Sequence, residues 1–316
     1  MSTWKLTIEY EGARYRGWQE QKNARTIEGE IRRAAREALS CPIGFGGAGR
    51  TDAGVHALGQ VAHLRAQVHI SARELKHTIN DRLPADINIL SVEPARPGFD
   101  ARRDAIARSY IYQLSTRRTA LGKRFVWWVK DRIDLDAMER AARLLIGRHD
   151  FALLSERREG DRSTIVVVDR MEIRTESNLV LLRIVASHFL WKMVRRIVGV
   201  LVEVGRGNAG SDDLRRLLKG DRQAGPLFDQ VAAHTAPPSG LFLDQVLYEG
   251  GALRHFSAAF APGISRSHLE GTREDTHFPR GESFDGAQAE FTRNSGCRRA
   301  SDEGVSTPTM PPRPRR

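Results

Sequence analysis

Cysteine is nearly absent: two residues, Cys41 and Cys297, in a chain of 316. They lie far apart and form no C-x-x-C pair, so neither a disulfide framework nor a structural zinc site is expected. No apolar run reaches the roughly 18 residues that a membrane-spanning helix needs. The opening Met-Ser-Thr-Trp-Lys also has no apolar core of a secretory signal. These absences predict a cytoplasmic protein without a membrane partner. A P-loop is missing too, because no Gly-Lys-Ser/Thr follows the glycines.

Acidic residues are in deficit. Against 50 Lys and Arg stand 39 Asp and Glu, a formal charge of +11 with a pI near 10.2. The imbalance is not a property of the C-terminus: residues 251–316 hold ten Arg and eight acidic residues, leaving a net of +9 in residues 1–250. A folded region this basic points to a polyanionic partner, and solubility alone is the plainer alternative.

Hydrophobic periodicity gives the elements. Trp4, Leu6, Ile8 and Tyr10 alternate as a half-buried strand. Thr26 caps a helix running to about Leu39, with Ile27, Ile31, Ala34, Ala35 and Ala38 at helical spacing. A glycine-rich stretch, Gly44–Gly54, precedes a strand at Gln60–Arg65, a helix at Ala72–Asn80 and a strand at Ile87–Val92. Ser109–Leu114 opens a second unit as a strand, and Leu135–Leu145 forms a helix. Ile165–Ile173 and Leu179–Ala186 make a strand pair around Glu176-Ser-Asn178. Leu190–Val204 and Leu214–Leu218 read as helices and Phe242–Tyr248 as a last strand. The mixture fits an α+β architecture better than an all-parallel sheet. It predicts one subdomain over 1–100, a second over 101–250, and a tail over 251–316. That tail is rich in Pro, Gly, Ser and charge and reads as largely disordered.

Residues 44–54 read Gly-Phe-Gly-Gly-Ala-Gly-Arg-Thr-Asp-Ala-Gly. The Gly44-x-Gly46-x-x-Gly49 within them matches a dinucleotide fingerprint only superficially, since another glycine breaks the helix that should open there. What remains is a glycine-flanked Arg50-Thr51-Asp52. Taken alone, Asp52 fits either a carboxylate presented to a substrate or an aspartate capping an ordinary turn.

Gly49-Arg-Thr-Asp-Ala-Gly-Val-His-Ala57 resembles the signature loop of the tRNA pseudouridine synthase A family. Further segments resemble the family in order: Tyr10-Glu-Gly12 with Gly17-Trp-Gln-Glu-Gln21, Asn80-Asp-Arg-Leu-Pro-Ala-Asp-Ile87, Phe99-Asp-Ala-Arg102 and Arg108-Ser-Tyr-Ile-Tyr112. Gly147-Arg-His-Asp-Phe151, Phe189-Leu-Trp-Lys-Met-Val-Arg195 and Gly240-Leu-Phe-Leu243 complete the series. The resemblance covers residues 4 to about 249.

It implies a pseudouridine synthase fold, two related α+β subdomains about a central catalytic cleft. The implied enzyme is an isomerase acting on uridines 38, 39 and 40 of the tRNA anticodon stem-loop, working as a homodimer without cofactor or metal. The reaction breaks N1–C1′, rotates the base and joins C5 to C1′. Asp52 matches the catalytic aspartate, either as a nucleophile on C1′ or as a base while a glycal forms. Tyr110 matches the family's active-site tyrosine, whose ring can stack on the target base while its hydroxyl stays available for proton transfer; by its residues alone it fits a packed strand tyrosine equally well. Tyr112 suits a core position. Arg195 matches an arginine expected to pair with Asp52 and keep it ionised. A solvated helix face is the plainer reading of Lys192, Arg195 and Arg196. Arg50 is expected to contact RNA backbone or replace the extruded base, while His56 stays open between structural and site roles. Arg14, Arg16, Lys22, Arg25, Arg32, Arg33 and Arg36 are candidate phosphate contacts, some of them plain helix solvation. Two positions depart from the pattern: His188 stands where glycine is usual, and Arg196 where asparagine is common.

The rival readings are a non-catalytic RNA-binding protein on the same scaffold, the same chemistry on another RNA, and a nucleotide-cofactor enzyme.

Overall fold

The computed structural model describes residues 1–156, 163–221 and 230–260. All of these fall in one compact unit. The architecture is α+β, as expected: among the described residues ten strands form one mixed sheet and five α-helices accompany it.

The chain starts with β1 (Ser2–Tyr10), whose even-numbered apolar side chains are buried as their alternation requires. Helix α1 (Ile27–Leu39) follows, with the Thr26 hydroxyl accepting from the Gly29 amide at its first turn. Next come β2 (Gly44–Gly47), β3 (His56–Ala66), α2 (Ala72–Asn80) and β4 (Ile87–Pro94). The remainder comprises β5 (Ala107–Ser115), β6 (Trp127–Trp128), α3 (Leu135–Arg143), β7 (Gly147–Asp150), β8 (Ile165–Glu176), β9 (Leu179–Ala186), α4 (Met193–Gly205), α5 (Ser211–Leu218) and β10 (Leu241–Leu247).

The strand order is β4-β1-β3-β10-β5-β9-β8-β7, with β2 on β3 and β6 on β5. The last strand therefore sits in the middle. It runs parallel to β3, with Phe242 opposite His56 and Leu243 opposite Ala57. It runs antiparallel to β5, with Leu243 opposite Tyr110. This register places Tyr110 two strands from the start of β3, where the 49–54 loop ends.

One continuous core unites the helices with the sheet: Leu6, Ile8, Ile31, Leu75 and Ile79 share it with Met138, Ile184, Ile197 and Leu201. The central strands are buried along nearly their whole length, β9 from Val180 to Ala186. A strand so uniformly apolar needs cover on both faces. Residues 251–260 supply part of it. Leu253 packs on Ala107, Val185 and Leu247; Phe256 and Ala258 on Ile111 and Leu181; Ala259 on Leu58 and Phe242.

This strap lies within the segment that composition assigned to a disordered tail, and its packing moves that boundary to residue 260 or later. Side chains hold it in place of strand pairing. Gln113 Oε1 accepts from the amides of Ala259 and Phe260 at 2.6 and 3.1 Å. Arg174 donates to the Phe256 carbonyl, and the fully buried Arg183 to that of Arg254. The rest of the predicted tail, 261–316, lies outside the described residues.

Other differences are local. β2, β6 and β7 are two to four residues long, too short for periodicity to reveal. α4 starts at Met193, three residues later than its apolar pattern suggests, because Lys192 takes a left-handed conformation (φ 59°) at its N-cap. Among the described residues no helix is long and apolar enough to cross a membrane.

Candidate active site

The loop between β2 and β3 is fixed from below and from its side. The Tyr10 hydroxyl meets Thr51 Oγ1 at 2.8 Å, and Gln60 Nε2 donates to the Gly49 carbonyl at 2.9 Å. The Trp18 amide donates to the Thr51 carbonyl at 3.0 Å. That approach needs glycine at position 17, whose φ is +94° and where a Cβ would sit 2.7 Å from the same carbonyl oxygen. Gly54, with φ +79°, turns the chain into β3. Thr51 is buried, so its neighbours Arg50 and Asp52 are left facing a cleft of about 780 Å³.

The structure brings Asp52, Tyr110 and Arg195 to this cleft, and Arg50 to its rim. Arg195, in the first turn of α4, places Nη1 3.8 Å from Asp52 Oδ2, an ion pair at the long end of the range. Its Nε donates to the Ala236 carbonyl at 2.6 Å. The basic run on α4 is thus no solvated face: the Arg195 and Arg196 side chains are 15% and 12% exposed. Arg196 donates to the Ser155 carbonyl, and its guanidinium and the Lys192 ammonium share Glu156.

Tyr110 is buried, with its ring edge-on to Phe189 at 4.9 Å between centroids. Burial, and then the Asp52 carboxylate, push its phenol well above the ordinary value, so it is a neutral donor at physiological pH. Tyr112 lies deeper, its hydroxyl bonded to the Pro237 carbonyl at 2.7 Å. Arg50 is exposed, and nothing among the described residues bonds to it.

His56 does not face this cleft. Its Nδ1 accepts from the Gly12 amide at 3.1 Å and its Nε2 reaches the Arg124 carbonyl at 2.9 Å. Those two bonds require the neutral Nε2–H tautomer, and burial holds its pKa below the ordinary 6.5. It ties three segments together. His188 is exposed at the cleft wall, its Nδ1 3.1 Å from the Ser187 hydroxyl.

Two cleft residues lie in segments that resemble the family but received no role from the sequence. Arg108 and Trp18 both line the cavity, and no periodicity marks either as more than a strand or loop residue. Among the described residues no group of three or more His, Cys, Asp or Glu is placed to hold a metal ion.

A carboxylate, a buried phenol and a guanidinium meet in a cleft with several further cations. Such a set can hold an anionic substrate against a carboxylate. The sequence matches make the class specific. A family model for tRNA pseudouridine synthase matches residues 6–102 and 141–249. The chain is 38% identical over 254 residues to proteins named tRNA pseudouridine synthase A from Brucella ovis and Brucella melitensis biotype 2, covering 78% of this chain and 98% of each relative. The chain therefore belongs to the tRNA pseudouridine synthase family of isomerases. Among solved structures, an archaeal box H/ACA sRNP Nop10-Cbf5 complex matches with a TM-score of 0.30 at 10% identity, over 74% of this chain and 58% of that one. Family membership rests on the sequence matches alone.

Proposed function

We propose that the chain isomerises uridine to pseudouridine at positions 38, 39 and 40 of the tRNA anticodon stem-loop, with Asp52 as the catalytic carboxylate. The observation that carries this is the Asp52–Arg195 pair beside the Tyr110 ring in a cleft sized for a nucleotide. A paired stem hides its uridines, so the target must leave the stack, at a cost of a few kcal/mol. Arg50, exposed beside Asp52 without a partner among the described residues, fills the vacated position or meets a phosphate.

The extruded sugar presents C1′ to Asp52. The Arg195 guanidinium favours the ionised carboxylate. That carboxylate either bonds to C1′ as N1 leaves or removes the C2′ proton as a glycal forms. The freed base rotates against the Tyr110 ring; C5 joins C1′ as the carboxylate leaves C1′ or returns the proton to C2′, and the C5 hydrogen then departs as a proton while N1 takes one up. Because Tyr110 is protonated, it serves as a stacking ring and hydrogen-bond donor during the rotation.

Residues 1–100 carry the catalytic loop and 101–250 carry Tyr110 and Arg195. The chain acts as a cytoplasmic homodimer.

Position mapping tests the target. Anticodon-arm transcripts with a single uridine at 38, 39 or 40 should each be converted, and transcripts with uridine only elsewhere in the arm should not. Conversion confined to another position would reject the assignment. Sedimentation at micromolar concentration checks the dimer.

A further inference from the structure

Arg108 lies on β5 two residues before Tyr110, and so on the same face of the strand. Both of its η nitrogens are used in full. Nη1 donates to the carbonyls of Ala105 at 3.1 Å and Ser187 at 3.0 Å; Nη2 donates to those of Ala48 and Arg102, both at 2.9 Å. These acceptors come from three separate stretches of chain. Ala48 enters the loop that carries Asp52. Ser187 follows β9 and leads into Phe189, the ring packed on Tyr110. Arg102 and Ala105 belong to the connection between β4 and β5.

A structural arginine of this depth ordinarily has a carboxylate partner. Here no carboxylate lies within ion-pair distance among the described residues, and burial pulls the guanidinium down from its ordinary value. Four neutral carbonyls satisfy it in place of an anion. Only a planar fork can reach four acceptors in different directions. A lysine ammonium has three protons on one atom and cannot span them.

We propose that Arg108 is a positioning residue for the reaction: it locks the Asp52 loop to the Phe189–Tyr110 wall, so that the carboxylate and the stacking ring keep one spacing across the cleft. The proposal rests on the reading of Asp52 and Tyr110 as the groups that meet the nucleotide. A positioning role differs from a phosphate contact, because all four η protons are already committed to protein carbonyls.

The test compares wild type with Arg108→Lys and Arg108→Met. For each, one measures the single-turnover rate of C5 tritium release at saturating tRNA, the tRNA Kd at several salt concentrations, and Tm. The expected result for Arg108→Lys is a rate lower by about 100-fold, the scale of a misplacement near 1 Å. Its Kd should stay within about threefold, with an unchanged salt slope. Arg108→Met should show the same rate loss or a larger one, and the lysine, which keeps the charge, should not rescue it. A lysine variant within about threefold of the wild-type rate overturns the proposal. So does a loss confined to Kd with a salt slope reduced by about one, the mark of a phosphate contact. If Arg108→Met fails to fold, the lysine variant alone decides. Absence of tritium release from wild type would instead reject the proposed function, leaving the two failures distinguishable.

Discussion

Two cavities lie close to each other along the chain and behave differently. The first, about 780 Å³, holds Asp52; the second, about 570 Å³, holds His56 four residues later. Both are lined by aromatic and charged side chains. In the second, most of the charged and polar side chains are paired with one another. Tyr15 donates to Asp86, Arg25 bonds Glu30 at 2.7 Å, Arg124 reaches Glu11 at 3.2 Å, and both His56 nitrogens are bonded. In the first, Arg108 and Lys192 are bonded to protein groups as well, but an ion pair, Asp52 with Arg195 at 3.8 Å, and the exposed Arg50 face the cavity. The lesson is that a cavity's lining matters less than whether its polar groups are already satisfied by the protein. A carboxylate and a guanidinium that face open space together are what a substrate can use.

The comparison breaks if substitutions in the two regions have the same consequence. The largest effect expected near the second cavity is on stability. Phe256→Ala removes a fully buried ring from the strap and should cost about 3–5 kcal/mol, measured by denaturant unfolding, with the turnover of the folded fraction unchanged. By the same reasoning a chain ending at residue 250 should unfold far more easily than one ending at 260. Equal Tm values for the two would show the strap to be dispensable.

Next comes Arg195→Gln. Turnover should fall by about 100-fold, with tRNA Kd little altered and a small drop in Tm from the lost Ala236 bond. A change mainly in Kd would make Arg195 a phosphate contact.

His56→Gln is expected to cost about 1–3 kcal/mol of stability and nothing in catalysis. It also has a pH signature. Burial lowers the folded-state pKa of His56, so the unfolded chain binds more protons below its ordinary 6.5. The stability that neutral His56 contributes is therefore complete above that pH and is lost as the pH falls through it. His63 and His188 are shifted in the same direction, again by burial first, so the variant should flatten part of the acid loss and leave the rest. A slope of Tm against pH identical to wild type between pH 7.5 and 5.5 would contradict the assignment.

The smallest effect belongs to Arg50→Ala. It should weaken tRNA binding several-fold and reduce the salt slope by about one, without altering Tm.

The same distinction explains what the sequence made legible. Long periodic elements were readable: α1 with its Thr26 cap, α2 from Ala72 to Asn80, and the β8–β9 pair. Each declares itself through residues close in sequence. The Asp52 loop was legible only through resemblance, since an aspartate among glycines also fits a plain turn. The strap at 251–260 was not legible. Its four buried residues, Leu253, Phe256, Ala258 and Ala259, follow no period, and side chains up to about 150 positions away hold them. Arg108 stayed hidden for the same reason, because its four acceptors are backbone carbonyls that any sequence provides. His56 was open between two roles until the Gly12 amide and Arg124 carbonyl were seen beside it.

The central claim is that the Asp52 carboxylate performs the isomerisation. Tritium release from tRNA labelled at uridine C5 tests it most directly, since that hydrogen leaves only when C5 becomes the glycosidic carbon. Wild type should release tritium, while Asp52→Asn should bind tRNA comparably and release at least about 1000-fold more slowly. Release by Asp52→Asn near the wild-type rate would contradict the claim.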